Sequence, residues 1–262
     1  MNDTASVLPR STLTEIEDRV YEKYEVARAD ARLAVDYLWC FLDAKRTRAT
    51  DIIILPQIAD WAWHEFVLET ARYRSICMEL FGQFLHHAAK PLRRGLHSET
   101  QPLREIFSAS LCLMRDIYGL DLGRHPEQWL EAGWDHPEYR LRHSIDLPDW
   151  GRQSAVTAFP PIQPAATHLS WLPHRIARRF AIPLTAACRG VNEYAQVFAS
   201  LNPTSSLESR ACSVLAQIAW EEHILWTERY SSDCFQIIGA FLDHVPRPPT
   251  GAGMESTTDV AA

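Results

Sequence analysis

Shifted against itself by 157 residues, the chain repeats. The segment Trp63–His87, WHEFVLETARYRSICMELFGQFLHH, falls on Trp220–His244, WEEHILWTERYSSDCFQIIGAFLDH, with 12 of 25 positions identical. The matched set includes Trp63/Trp220, Thr70/Thr227, Tyr73/Tyr230, Cys77/Cys234, Gly82/Gly239 and His87/His244; upstream, Tyr37 meets Tyr194 and Phe41 meets Phe198. A period of this kind marks one supersecondary unit used twice. The expected organisation is therefore an internally duplicated domain, with helical repeats at 13–90 and 172–247 and a connecting region at 91–171. The ends, 1–12 and 248–262, are expected to be disordered, the latter for its Pro248, Pro249 and Gly251.

The repeats read as helix. Leu13, Ile16, Val20, Tyr24, Ala27, Ala31, Ala34, Leu38 and Phe41 recur at steps of three and four, the spacing of one buried helical stripe. Thr12/Glu15 and Thr14/Glu17 are capping-box candidates for its start, and a helix this long predicts a break near Arg28–Asp30. Pro56 signals the next helix start. The stripe Trp63, Phe66, Thr70, Tyr73, Cys77, Leu80 and Phe84 follows, until Gly82 redirects the chain. Glu99–Gly119 reads as a further amphipathic helix. From 120 to 173 the glycines and prolines predict long ordered loops, anchored by Trp129, Trp134, Trp150 and Trp171. No strand pattern is present, so the expected class is all-α.

Charge and composition narrow the function. A net charge of −7 argues against general binding to a nucleic-acid backbone. The longest stretch without a formal charge, Ser154–Pro173, carries four prolines and a histidine and is no membrane span. The opening Met-Asn-Asp-Thr-Ala-Ser has no basic or apolar leader pattern, so a cytoplasmic protein is expected. The six cysteines form no C-x-x-C pair, which removes zinc-ribbon and thioredoxin readings, and most should be buried apolar groups.

A repeat kept only for stability accounts for tryptophan, leucine and glycine. Thr70 and Thr227 fit as helix N-caps, Tyr73 and Tyr230 as core rings with a hydrogen-bonded hydroxyl, and Cys77 and Cys234 as packing groups. The histidines resist that account. Repeat one offers His64 and the His86–His87 pair; repeat two offers Glu221, His223 and the Asp243–His244 pair. Asp60 lies one turn before His64, on the same helical face. Imidazoles with a few carboxylates are the ligand set of zinc and non-haem iron.

In one unbroken helix His64 and His87 would stand roughly 35 Å apart. A site requires either a chain folded back at Thr70 and Gly82, joining His64 to His87, or antiparallel repeats, joining His64 to His244 and Glu221 to His87. No H-E-x-x-H or E-x-x-H occurs, so neither the zincin nor the usual ferritin-like di-iron pattern applies. Structural histidines that satisfy backbone groups and helix ends are the competing reading. His125 and His136, each before a proline, read as turn residues, and His97, His143 and His168 stand alone. The run His174-Arg175…Arg178-Arg179 reads as a solvated helix face that could also grip a carboxylate or phosphate. Phosphate loops, G-x-S-x-G elbows and dinucleotide fingerprints are missing.

The run Tyr37…Phe41-Leu42, Leu55-Pro56, Asp60, Trp63-His64, Phe66, Leu68, Thr70, Tyr73, Cys77, Phe81-Gly82, Phe84-Leu85-His86-His87 resembles bacterial relatives of the plant glycine-rich domain-containing proteins. Trp220, His223, Leu225, Tyr230, Asp233-Cys234, Gly239 and Leu242-Asp243-His244 are similar to the W-H-x-H form of that motif, with Glu221 in place of its first histidine. The glycine-rich tail of the plant proteins has no counterpart in this sequence. The resemblance implies a helical fold and no settled activity.

Two functions are weighed on these residues. The first is a metal-dependent enzyme, a non-haem iron oxidase or oxygenase acting on a small molecule or peptide, with zinc or manganese as alternative metals. In it His64, His86, His87, Glu221, His223, Asp243 and His244 supply the metal ligands, and Tyr73 and Tyr230 position substrate or carry a proton. The second is a helical interaction or scaffolding module with structural histidines. The first is preferred because histidines and carboxylates gather at matched places in both repeats.

Overall fold

The computed structural model describes residues 8–87, 97–120, 168–202 and 212–246, and every regular element among them is helical. The first half runs α1 (Arg10–Tyr24), α2 (Arg28–Thr47), α3 (Gln57–Leu68) and α4 (Thr70–Phe81). After α5 (His97–Tyr118) come α6 (Leu172–Phe180), α7 (Leu184–Ala199), α8 (Val214–Ile224) and α9 (Thr227–Asp233), which continues into a π-helical turn, Cys234–Ile238. No described helix is long and apolar enough to cross a membrane. Trp129, Trp134, Trp150, the other connecting residues before 168 and the tail 248–262 lie outside the described residues.

The two halves pack alike. Helices α1, α2 and α3 touch one another in all three pairings, as do α6, α7 and α8, and α3 meets α8 between them. Ile16, Val20, Leu38, Phe41 and Phe66 of the first half and Ile176, Val191, Tyr194, Phe198 and Trp220 of the second lie in one continuous buried core. Burying several aliphatic and aromatic side chains, at about 1.5–3 kcal/mol each, is the main force joining the halves. Small residues set the spacing: a Cβ on Gly190 of α7 would lie 2.7 Å from both Cβ and the carbonyl oxygen of Leu215.

Helix ends depart from the sequence expectations in instructive ways. Helix α1 starts at Arg10, inside the segment expected to be disordered, with Pro9 as its N-cap and Leu8 fully buried. Thr12 and Thr14 therefore lie inside the helix rather than capping it. Thr14 Oγ1 donates back to the carbonyl of Arg10, the local bond a helix-interior threonine makes. The break falls just before the expected place, at Glu25–Ala27, where Glu25 is left-handed. Pro56 caps α3 as expected. Thr70 and Thr227 are the first residues of α4 and α9 and cap neither; their hydroxyls are used elsewhere. Gly82 and Gly239, at φ +67° and +84°, end their helices in the left-handed conformation that favours glycine. Gly82 N–H donates to Met78, four residues back, whereas Gly239 N–H donates to Cys234, five back, so the second helix is wider in its last turn.

Candidate metal centre

The chain reverses at Glu69 and again at Gly82, and this returns His87 to α3. The rings of His64 and His87 then stand 4.8 Å apart at 86°. Between them lies Asp60, one turn before His64: its Oδ2 is 3.1 Å from His64 Nε2 and its Oδ1 is 3.2 Å from His87 Nε2. One ligand atom from each of the three residues lies within 4.8 Å of the other two. His64 is fully buried, His87 is 3% exposed, and the Asp60 side chain keeps 29% of its surface open. Of the two arrangements considered from sequence, the within-repeat pairing of His64 with His87 is the one adopted.

The halves cross at the backbone. His87 Nδ1 lies 2.7 Å from the carbonyl oxygen of Leu225, and His244 Nδ1 lies 2.7 Å from that of Leu68. A carbonyl only accepts, so each Nδ1 carries the proton and donates. Thr227 Oγ1 accepts from His87 N–H at 2.8 Å and donates to its carbonyl at 3.1 Å. Thr70 Oγ1 accepts from His244 N–H at 2.7 Å. Each threonine thus clasps the loop that follows the other half's glycine. Beneath each histidine an indole stands edge-on, Trp63 at 4.6 Å from His87 and Trp220 at 4.5 Å from His244.

With Nδ1 of His87 committed, its Nε2 can meet the Asp60 carboxylate as an imidazolium N–H or across a bound cation. Burial lowers the His64 pKa to about 4, so this imidazole is neutral at neutral pH. Burial would raise that of Asp60, but the two imidazoles outweigh it and hold the carboxylate well below its usual range. Two imidazoles and an ionised carboxylate converging on one point are a ligand set with positions left open for water or substrate. The carbonyl behind His87 supplies the outer hydrogen bond by which metal-ligating histidines are oriented.

The second half is built differently at the same positions. Gln217 stands where Asp60 does, and Glu221 where His64 does, at the same offset of 157. Gln217 Nε2 lies 3.2 Å from His244 Nε2 and 3.3 Å from Glu221 Oε1, so one amide donates to both. Lys23 Nζ of α1 sits 3.3 Å from Glu221 Oε2 and 3.0 Å from Glu65 Oε1. Burial works against the Glu221 charge, but Lys23 and His244 prevail and bring its pKa down to about 2. Glu221 and His244 are therefore neighbours, already satisfied by an amide and an ammonium.

The other expected site residues lie elsewhere. His86 is exposed, its Nδ1 3.2 Å from Thr227 Oγ1, and Asp243 pairs with Arg74 at 2.9 Å. His223, at the position of Phe66, forms a separate buried group: Nδ1 is 2.9 Å from the Tyr194 hydroxyl and Nε2 is 3.1 Å from Asp233 Oδ2. Tyr73 and Tyr230 are fully buried. The Tyr73 hydroxyl accepts from Trp63 Nε1 at 3.1 Å and donates to the Leu85 carbonyl at 2.7 Å; Tyr230 does the same with Trp220 and Leu242, at 3.1 and 2.9 Å. Burial raises both phenols well above their usual range. Their geometry holds the loops that carry His87 and His244, which is a positioning part.

Ion pairs also enter the interior. Glu65 contacts Arg19 and Lys23 of α1, while Glu222, at the matched position, is held by Arg175 at 2.7 Å and by Arg179 of α6. Arg175 and Arg179 are thus drawn inward, away from the solvated face their sequence suggests.

Residues 7–125 match a family model described as UCP032817-like, a stretch that contains Asp60, His64 and His87 and none of the second half. No curated protein and no solved structure matches the chain.

Proposed function

We propose that this chain is a metal-dependent enzyme in which Asp60, His64 and His87 hold a divalent first-row metal. The observation that carries the reading is a single carboxylate set between Nε2 of two buried histidines, one of them oriented from behind by the Leu225 carbonyl. Two histidines and one carboxylate with open coordination positions suit non-haem iron, with zinc or manganese as alternatives. Such a centre would serve oxidase or oxygenase chemistry on a small molecule or peptide, the metal binding dioxygen or polarising the substrate. The part-open edge of Asp60 is the side from which an exogenous ligand would approach.

The proposal includes the history of the site. The matched hydrogen bonds of His87 and His244, Thr70 and Thr227, and Tyr73 and Tyr230 support descent from one duplicated unit. In that unit's second copy an amide and a glutamate have replaced two of the ligands. A relationship to the bacterial relatives of plant glycine-rich domain-containing proteins, and a cytoplasmic location, belong to the same proposal.

The test is metal content by mass spectrometry on protein purified without an affinity tag, for wild type and folded His64→Ala. About one equivalent of iron, manganese or zinc in wild type, lost in the variant, is the expected result; activity screening under oxygen then follows. A metal-free wild type that takes up none on anaerobic iron addition would overturn it. One observation favours the scaffolding alternative: His244 makes the same backbone bond as His87 while its Nε2 meets the amide of Gln217 rather than a carboxylate. Under that reading His64→Ala changes stability only.

A further inference from the structure

We infer that the cleft between α6 and the α8–α9 corner binds a small anion carried on a flat ring, an aromatic carboxylate or aryl phosphate. Its volume is about 380 Å³, the size of a small-molecule site. One wall is a single face of α6, where Trp171, His174, Arg175 and Arg178 follow at helical spacing. The other is Trp226 and Arg229, on either side of the start of α9. Among the described residues the lining holds four arginines and no acid.

The two walls meet through their rings. Trp171 and Trp226 are 5.2 Å apart at 62°, and the Arg229 guanidinium lies 5.1 Å from the first ring and 5.5 Å from the second. Arg175 reaches over Trp226 at 5.7 Å while its Nε pairs with Glu222 at 2.7 Å. Among the described residues, Arg229 thus rests on indoles rather than on a carboxylate. The buried indole N–H of Trp226 has no acceptor there either. Guanidinium planes match carboxylate and phosphate oxygens in paired hydrogen bonds, and indole faces take a flat ring. A guanidinium resting on two indoles, beside a buried indole N–H still to offer, is the complement of an aromatic anion.

This inference is independent of the metal reading, and its test is run on full-length protein in chelator-treated buffer. Calorimetric titration would compare 1-naphthoate, 1-naphthyl phosphate, 2-naphthol and inorganic phosphate. One or both aromatic anions should bind at least about tenfold tighter than 2-naphthol and inorganic phosphate, and which one does identifies the preferred oxygen group. Arg229→Ala and Arg178→Ala, exposed and on opposite walls, should each weaken that binding about tenfold. Arg32→Ala, a surface change on α2, should leave it unchanged. Equal binding of the neutral naphthol, equal binding of bare phosphate, or full affinity in both cleft variants would overturn the inference.

Discussion

The imidazole of His87 is held between two acceptors, the Leu225 carbonyl at 2.7 Å from Nδ1 and the Asp60 carboxylate at 3.2 Å from Nε2. In the other half His244 keeps the first contact, to Leu68, but meets the amide of Gln217 in place of the second. One ring therefore faces a lone pair that a proton or a cation must bridge, while the other receives an amide hydrogen. This exchange of carboxylate for amide, together with Glu221 in the place of His64, separates a candidate metal centre from a hydrogen-bonded fastening, and it can be tested by mutation.

Asp60→Asn makes the first site resemble the second. The amide can donate to the Nε2 lone pair of His87, so the metal-free fold should stay within about 1 kcal/mol of wild type. Metal should be lost. Melting curves with and without manganese or zinc check both statements, because a ligand that binds only the folded state raises the melting temperature. Wild type should shift and Asp60→Asn should not; equal shifts would exclude the carboxylate as a ligand.

His87→Ala and His244→Ala each leave a buried carbonyl without its donor and should each cost about 1–3 kcal/mol in urea unfolding. Their metal content should diverge. His244→Ala keeps the Asp60 triad and its metal, whereas His87→Ala loses it. If both variants lost stability alike and metal content did not separate them, the histidines would be fasteners only.

Much of this was legible in the sequence, and the rest was hidden for definable reasons. Identity at Trp63/Trp220, Tyr73/Tyr230 and His87/His244 singles out the residues that make matched bonds, because those bonds need particular atoms. The reversals at Thr70 and Gly82 follow from length, since no straight helix brings His64 to His87. Gln217 is not singled out by the repeat because it differs from Asp60, and a substitution counts as noise in a self-comparison although it carries the chemical contrast. The partners of Nδ1 on His87 and His244 are main-chain carbonyls, to which any residue type contributes equally. Arg175 and Arg179 looked solvated because their partner, Glu222, lies on another helix more than 40 positions away. The roles of Thr70 and Thr227 are hidden for a related reason: a hydroxyl at a helix start can cap its own helix or clasp a distant loop, and spacing does not separate the two.

Gly190→Ala tests a close approach between α7 and α8. A methyl group there would meet both the side chain and the carbonyl of Leu215 at 2.7 Å, contacts that α7 can relieve only by moving away from α8. The intrinsic helix preference of alanine favours the substitution, by roughly 1 kcal/mol, but overpacking against main chain should exceed it. A net loss of about 1–2 kcal/mol in urea unfolding is expected. A stabilised variant would mean that the α7–α8 contact is looser than the distances state.

His223 provides the pH test, since it stands apart from the triad. Its ring is fully buried among Tyr194, Phe198 and Tyr230, and burial lowers its pKa although Asp233 pulls the other way. In the unfolded chain the group titrates near 6.5. Between the depressed folded value and about 6.5 the unfolded state binds more protons, so stability rises with pH through that window and its contribution is complete above it. Acidification from pH 7 to pH 5 should therefore destabilise wild type. His168 and Arg229 add positive charge near the ring and work in the same direction. His223→Phe copies the residue at the matched position, Phe66, and removes this proton. At pH 7 the variant should lose about 1–3 kcal/mol, because Tyr194 and Asp233 lose a partner. Between pH 7 and pH 5 its stability should fall less than that of wild type. Urea unfolding at the two pH values gives all four numbers, and an unchanged pH dependence in the variant would show that His223 is not the group that is protonated on unfolding.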